Sequence, residues 1–267
     1  MTVLQLLLLV LLGGAAGFLA GLFGVGGGIV LIPFLLSFFQ LAGVSSLVAT
    51  HLTLGTSLAV IVFTSLASAN EYRRNNHIIW KGVLYIGLAS VAGAGLGSMI
   101  AGSLEGKTLQ RIFALVVVAA AFRMLGNPRR PKKDLEPRTS PPGLLLTGFL
   151  VGVVSSLSGV GGGVLSIPVM YSILHFPLKK ALGTSSASIV ITAFAAMTGY
   201  IIRGWGNSLL PPYALGYVSY LTVLPIVAGS IPMARIGATL ADSVKAGLLR
   251  KAFVVFLLVV AVKMFFF

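Results

Sequence analysis

Charged side chains are scarce along most of this chain, and that scarcity constrains its fold more than any other feature. Of 267 residues, 9% are charged and 57% are apolar, where a soluble domain carries about 25% charged residues. Too little polar surface exists to cover a water-soluble globule of this size, so lipid is the solvent for most of the chain. Apolar stretches run over about 2–23, 29–42, 47–69, 78–102, 109–126, 143–158, 164–176, 182–203, 210–235 and 245–265. A helix needs about 20 residues to span the hydrocarbon core. By that measure 29–42, 143–158 and 164–176 are short. They read either as buried core helices or as half-helices that enter the bilayer and turn back, because irregular backbone is tolerated at membrane depth only inside protein or beside water. The run Leu4 to Leu12 has no basic region before it and is continued by apolar helix-like sequence. It is therefore read as a mature segment, not a signal peptide.

The basic residues orient these segments. The run from Arg129 to Arg138 is the only long polar stretch and is expected in the cytoplasm. If each half of the chain crosses an odd number of times, the cytoplasmic face collects fifteen of the nineteen Lys and Arg residues, leaving Lys107, Arg111, Arg203 and Lys263 on the other side. An even second half would move Lys179, Lys180 and the group from Arg235 to Lys251 outside. The odd count, and with it two halves of opposite orientation, is preferred. Charge spread along the loops of one membrane face is not the footprint of a nucleic-acid binder. With no cysteine, a disulfide scaffold, a thiolate zinc site, an iron–sulfur cluster and a cysteine nucleophile are excluded.

The chain is also duplicated. Residues 24–33 read GVGGGIVLIP and residues 159–168 read GVGGGVLSIP; LGTSL follows at 54–58 and LGTSS at 182–186. The units are an N-terminal transmembrane repeat over 1–126, a cytoplasmic basic linker over 127–142 and a C-terminal transmembrane repeat over 143–267. Two repeats of opposite orientation are a recurring design of secondary transporters, with the substrate held near the midplane by broken helices. Here the break falls at GVGGG, since consecutive glycines are poor helix interior and let backbone N–H groups approach a ligand. A helix is expected to start after each break, at Ile29 and at Val164. Each N-terminus offers unpaired N–H groups and a partial positive charge. Two such ends meeting would form an anion cradle from Gly26, Gly27, Gly28, Gly161, Gly162 and Gly163, with Pro33 and Pro168 marking the helix breaks. The hydroxyls of Thr56, Ser57, Thr184 and Ser185 are the best side-chain candidates for anion oxygens. Hydroxyls in membrane helices otherwise bond their own backbone. Gly13, Gly17 and Gly21, and likewise Gly93 and Gly97, read as packing seams. Gly93 to Gly97 is no dinucleotide fingerprint, lacking a strand–turn–helix setting.

The doubled GxGGG-x4-P pattern (Gly24–Pro33 and Gly159–Pro168), each copy followed by GTS, resembles the TauE/SafE sulfite exporter family of the toluene-sulfonate uptake permease superfamily, and the length and central linker agree. The resemblance implies a bacterial inner-membrane, multi-pass permease for a small sulfur oxyanion, sulfite or an organosulfonate such as sulfoacetate, carried outward. It places the family motif on Gly26, Gly27, Gly28, Pro33, Thr56, Ser57, Gly161, Gly162, Gly163, Pro168, Thr184 and Ser185. Ser186 stands where the first copy has Leu58, which makes the two half-sites unequal. No cofactor or metal is implied. The expected partners are the oxyanion, the lipid bilayer and, as one arrangement, a second copy of the chain in a homodimer.

Other chemistry is thinly represented. Glu71, Glu105, Asp134, Glu136 and Asp242 fall in or beside loops, and none offers the mid-span carboxylate that proton pumps and sodium symporters usually carry. His51 and His175 lie at segment ends and read as interfacial or hydrogen-bonded residues, although either could titrate near neutral pH. Arg123 and Arg203 read as snorkelling to the headgroups, with Arg203 alternatively drawing anions to the outer vestibule. Ser158 lacks a well-placed histidine for an intramembrane protease, and no HExxH is present. The expectation is therefore an all-α polytopic membrane protein, not an enzyme, built of two inverted repeats with broken or re-entrant helices at GVGGG. It works by alternating access between the repeats. The alternatives are a passive anion channel, an uptake permease for another small organic anion, and a structural membrane protein that uses the glycine seams as contact faces.

Overall fold

A computed structural model describes residues 2–101, 118, 122, 137 and 139–266. Most of the expected segment 109–126 and of the linker 127–142, together with Glu105, Lys107, Arg111, Arg123, Asp134 and Glu136, lies outside the described residues. Among those described, the chain forms α1 (Val3–Phe23), α2 (Gly28–Leu41), α3 (Ser46–Arg74), α4 (Trp80–Ala101), α5 (Pro141–Ser158), α6 (Gly163–Ser172), α7 (Leu178–Gly204), β1 (Ala214–Leu215), β2 (Val218–Ser219), α8 (Tyr220–Ser243) and α9 (Ala246–Phe266). Six of these helices, α1, α3, α4, α5, α7 and α8, are long and apolar enough to cross a membrane; α2 and α6 are shorter apolar helices. The architecture is all-α and polytopic, with β1 and β2 a two-residue antiparallel pair in the α7–α8 connection.

The order long, short, long, long occurs twice, once on each side of the basic linker. The stretch 143–158 is not short: α5 starts at Pro141 and has 18 residues, proline being well suited to a first turn where its missing N–H has no partner to lose. The apolar stretch 210–235 is not one helix. Pro211, Pro212 and the left-handed Gly216 (φ 55°) hold its first part in the β1–β2 turn, and α8 begins only at Tyr220. Pro33 and Pro168 lie inside α2 and α6 and do not end them. Each takes the sixth helical position, where it removes only the bond its N–H would have made to the carbonyl four residues back. The interruptions fall at the glycines.

Close packing of backbone on backbone sets the frame. Gly13, Gly17 and Gly21 of α1 face the backbone of Ile226, Ser230 and Ala234 on α8, so closely that a Cβ on any of them would overlap a carbonyl oxygen. The second copy does the same. Gly148 and Gly152 of α5 lie under Ile86 and Ser90 of α4, and Gly93 and Gly97 return the contact on Phe149 and Val153. The first helix of each copy is thus paired with the last long helix of the other. In lipid, where apolar surface gains nothing by leaving one apolar solvent for another, small residues that let helices approach are what hold a bundle together. The glycines read as seams are seams.

The long helices α3 and α7 run side by side through the middle. A Cβ on Gly183, near the start of α7, would stand 3.0 Å from Tyr72 Cβ near the end of α3; one on Gly55, near the start of α3, would stand 3.2 Å from Tyr200 Cβ near the end of α7. These two helices, equivalent in the two copies, are therefore antiparallel. Hydroxyls cross the same layers in pairs. Thr64 of α3 donates to Ser230 of α8 at 3.1 Å, and Thr192 of α7 donates to Ser90 of α4 at 2.7 Å. On the periphery, Phe23 at the end of α1 packs on Phe253 and Phe256 of α9, with ring centroids 5.6 and 4.9 Å away.

Gly17→Val and Gly152→Val should each destabilise the bundle by about 1–3 kcal/mol or more, the usual cost of forcing volume into a full interface. Thermal unfolding of the detergent-solubilised protein reads this directly. Gly95→Ala, where an added Cβ meets nothing within 4 Å, should leave stability unchanged.

Candidate functional site

Each glycine motif is the break between a long helix and a short one. α1 ends at Gly24 and α5 at Gly159, both left-handed caps (φ 64° and 66°). Gly26 and Gly27 (φ 86° and 87°) and Gly161 and Gly162 (φ 89° and 78°) then turn the chain into α2 and α6. A side chain at these angles would clash with its own backbone, so glycine is required. The short helices start at Gly28 and Gly163, one residue earlier than the expected Ile29 and Val164.

The two loops touch. A Cβ on Gly28 would lie 2.8 Å from the Gly159 oxygen and from Val160 Cα; a Cβ on Gly163 would lie 2.5 Å from Val25 Cα and 2.7 Å from the Gly24 oxygen. Both tips rest on the same two side chains. Ile61 Cγ2 is 2.8 Å from a Cβ built on Gly26 and 3.0 Å from one built on Gly161, and Ile189 Cγ2 is 3.5 and 3.4 Å from them. Ile61 and Ile189 hold equivalent positions in the two copies, each four residues after the serine of its GTS motif.

Each GTS hydroxyl bonds backbone of the other copy, and the two serines hold the loops. Ser57 donates to the Gly159 carbonyl at 3.1 Å, and Ser185 donates to the Gly24 carbonyl at 3.0 Å. Thr56 accepts the backbone N–H of Ser219, just before α8, and Thr184 that of Ile79, just before α4, both at 3.0 Å. Tyr72 donates to the Gly21 carbonyl at 2.8 Å and Tyr200 to the Ser156 carbonyl at 2.9 Å. All four GTS residues are fully buried. Their hydroxyls are thus engaged with backbone in this arrangement: Ser57 and Ser185 meet the two glycine loops, while Thr56 and Thr184 meet the segments that lead into α8 and α4.

The backbone N–H groups behave differently. Among the described residues, those of Gly26, Gly27, Gly28 and Ile29, and of Gly161, Gly162, Gly163 and Val164, meet no hydrogen-bond acceptor. These are the free donors of two helix N-termini, buried in the middle of the protein. An unpaired buried N–H costs free energy comparable to a lost hydrogen bond, and two facing positive dipole ends add repulsion. An anion removes both penalties. Buried hydroxyls without a partner lie close by. Ser65 Oγ is 3.3 Å from a Cβ built on Gly26, and Ser155 Cβ is 3.3 Å from one built on Gly162; neither hydroxyl, nor that of Ser186, has a hydrogen-bond partner. Sequence reasoning noted Ser186 only as a departure from the repeat and missed Ser65 and Ser155. The available signal was their mismatch with Ala193 and Ala20 in the other copy.

The ends of α3 and α7 differ in chemistry. At one, His77 Nε2 lies 2.5 Å from Asp242 Oδ1, while Lys179 donates to the Asp242 backbone oxygen and lies 3.4 Å from the carboxylate. At the other, the His51 ring packs against Tyr217 at 5.1 Å and Tyr200 at 6.5 Å, and Arg203 donates to the Ser98 carbonyl. His175, in the loop after α6, takes a left-handed backbone (φ 58°). Ser158 donates to the Val154 carbonyl at 2.6 Å within its own helix.

Six membrane-crossing helices around paired broken-helix loops define a multi-pass integral membrane protein of the transporter class. The family model described as sulfite exporter TauE/SafE matches residues 9–264, and the chain belongs to that family. A probable membrane transporter protein of Haemophilus influenzae is 34% identical over 263 residues, covering 97% of this chain and 98% of its own. Probable membrane transporter proteins of Methanocaldococcus jannaschii (28% identical, covering 85% of this chain and 84% of its own) and Bacillus subtilis (29%, covering 80% and 84%) are also similar. These relatives are named as transporters, not as enzymes. No solved structure matches the chain.

Ser57→Ala and Ser185→Ala should each cost about 1–3 kcal/mol, since each leaves a buried glycine carbonyl without its donor. Chemical unfolding in detergent micelles measures the loss. Wild-type stability in both variants would show that the cross-bonds do not hold the loops.

Proposed function

We propose that the protein exports a small sulfur oxyanion, sulfite or an organosulfonate such as sulfoacetate, from the cytoplasm across the bacterial inner membrane by alternating access. The observation that carries this reading is the meeting of two helix N-termini whose glycine N–H groups have no acceptor inside the protein. The anion sits between the loops, bound by N–H groups of Gly26, Gly27, Gly28, Gly161, Gly162 and Gly163. Ser57 and Ser185 hold the loops closed in the present arrangement, Thr56 and Thr184 hold the segments that lead into α8 and α4, and all four exchange a backbone partner for an oxyanion oxygen when the loops part. The family's description as sulfite exporters supports the substrate class. The antiparallel course of α3 and α7 and the reciprocal bonds between copies support two inverted repeats that rock against each other.

Driving force needs no buried acid. An inside-negative potential pushes an anion outward with about 2.3 kcal/mol per charge per 100 mV, so a uniporter suffices. The described carboxylates, Glu71 and Asp242, lie in the last turns of α3 and α8, away from the loops.

Uptake and counterflow in proteoliposomes under an imposed potential, with sulfite, sulfoacetate, sulfate, acetate and chloride, test the reading. Saturable, mutually competing flux of sulfite or the sulfonate is expected. Gly27→Val and Gly162→Val should abolish it by closing the approach to the N–H groups. Non-saturating flux of every anion would mean a channel, and flux of none from folded protein would overturn the proposal.

A further inference from the structure

Superposing the two copies by sequence exposes a chemical asymmetry at their shared centre. The GTS motifs align residue n of the first copy with n + 128 of the second, pairing Ile61 with Ile189, Thr64 with Thr192 and Tyr72 with Tyr200. Five buried pairs break the match between hydroxyl and apolar side chain: Thr53 with Ala181, Leu58 with Ser186, Val60 with Ser188, Ser65 with Ala193, and Ser68 with Ala196. Because α3 and α7 are antiparallel, the hydroxyls of the last four pairs fall on one side of the two isoleucines; Thr53, two turns before Ile61, is the exception. Ser65 lies one turn beyond Ile61 and Ser186 one turn before Ile189, so both lie on the side of the loop tips that leads to His77, Lys179 and Asp242. Leu58, Ala193 and Ala196 lie on the opposite side and join one apolar cluster with Ile61, Ile189 and Tyr200, which Tyr217 covers.

The hydroxyls of Ser65 and Ser186 are each 1% exposed and bond nothing in the protein. That is unusual for serine in a helix of this kind. Ser68 and Ser188 return their protons to the carbonyl four residues back, the common resting state of a membrane hydroxyl. A buried hydroxyl that declines this bond carries its full desolvation cost. Ser65 also faces the loop: its Oγ is 3.3 Å from where a Cβ on Gly26 would stand.

We infer that the oxyanion site is off-centre, on the His77–Lys179–Asp242 side of Ile61 and Ile189, and that Ser65 and Ser186 are substrate-binding residues. Their hydroxyls donate to oxyanion oxygens that the glycine N–H groups hold from the loop side. The opposite side is sealed by Leu58, Ala193 and Ala196, which offer an anion no donor. One half of the path is thus a binding surface and the other a barrier, so the repeats are alike in backbone and unequal in affinity. This rests on the oxyanion reading above.

The test is sulfite counterflow in proteoliposomes, with half-saturation, maximal flux and thermal unfolding measured for Ser65→Ala, Ser186→Ala and the control Ser68→Ala. The two site variants should raise half-saturating sulfite about tenfold or more, the loss of one hydrogen bond to a charged group. Their melting temperatures should hold or rise, because an unpaired buried hydroxyl has been removed. Ser68→Ala should keep wild-type half-saturation. Unchanged half-saturation in both site variants, with wild-type protein carrying sulfite, would overturn this inference alone. Lower melting temperatures in step with lost flux would assign the serines a structural role and also overturn it. Wild-type protein without saturable sulfite flux would sink the oxyanion reading and this inference with it.

Discussion

Everything in this molecule depends on how it satisfies a polypeptide broken in the middle of a membrane. Lipid offers no hydrogen bonds, so a gap in a helix is stable only if protein groups or a ligand take its loose ends. At each break two carbonyls are taken by side chains, those of Gly21 and Gly24 in one and of Ser156 and Gly159 in the other. Gly24 and Gly159, the caps of α1 and α5, each receive a serine hydroxyl from the opposite copy. The amide ends are not taken. This division, cap carbonyls bonded internally and N–H groups left over, is the basis of the proposed anion binding.

The glycine seams and the glycine loops serve the same end by different means. Along α1–α8 and α4–α5 the missing side chains let backbones touch, which fixes two rigid pairs in a solvent that supplies no hydrophobic drive between helices. At the loops, left-handed angles make glycine obligatory. Each rigid pair joins helices from both copies, while α3 and α7 cross between them. The reciprocal bonds of Ser57, Ser185, Thr56 and Thr184 also cross from one copy to the other. Those bonds are short links between hydroxyl and backbone. They are individually modest, about 1 kcal/mol each, which suits the breaking and re-forming that the proposed alternating access requires of them.

Duplication makes such a site easy to build and hard to polarise. A perfect repeat would present the same lining toward both faces of the membrane. Here the identities that bond backbone between segments are kept in both copies, at Thr56 and Thr184, Ser57 and Ser185, Tyr72 and Tyr200, whereas the positions one turn from Ile61 and Ile189 diverge. The ends of the path differ as well, with His77, Lys179 and Asp242 at one and His51, Tyr200 and Tyr217 at the other.

The membrane class, the duplication, the breaks at GVGGG and the glycine seams were legible from residue types alone. Hydropathy, helix propensity and the absence of a side chain are local properties, and each limits the backbone wherever it occurs. The pairing of Ser57 and Ser185 with the loops was also within reach, because the same residues recur at nearly the same distance after each motif. What those hydroxyls bond was not. A serine can donate to its own helix, to another helix or to a ligand, and only the packing of α3 against α7 selects the carbonyls of Gly24 and Gly159. Tertiary structure likewise decided where the apolar stretch 210–235 becomes helix, because Tyr217 and Ser219 are held by Tyr200 and Thr56 on distant segments. It also gave meaning to Ser65 and Ser186. In the linear chain they are 121 residues apart, and only Ser186 stands out, as a departure from the repeat; antiparallel packing puts both on one side of the same two isoleucines, with their hydroxyls unspent.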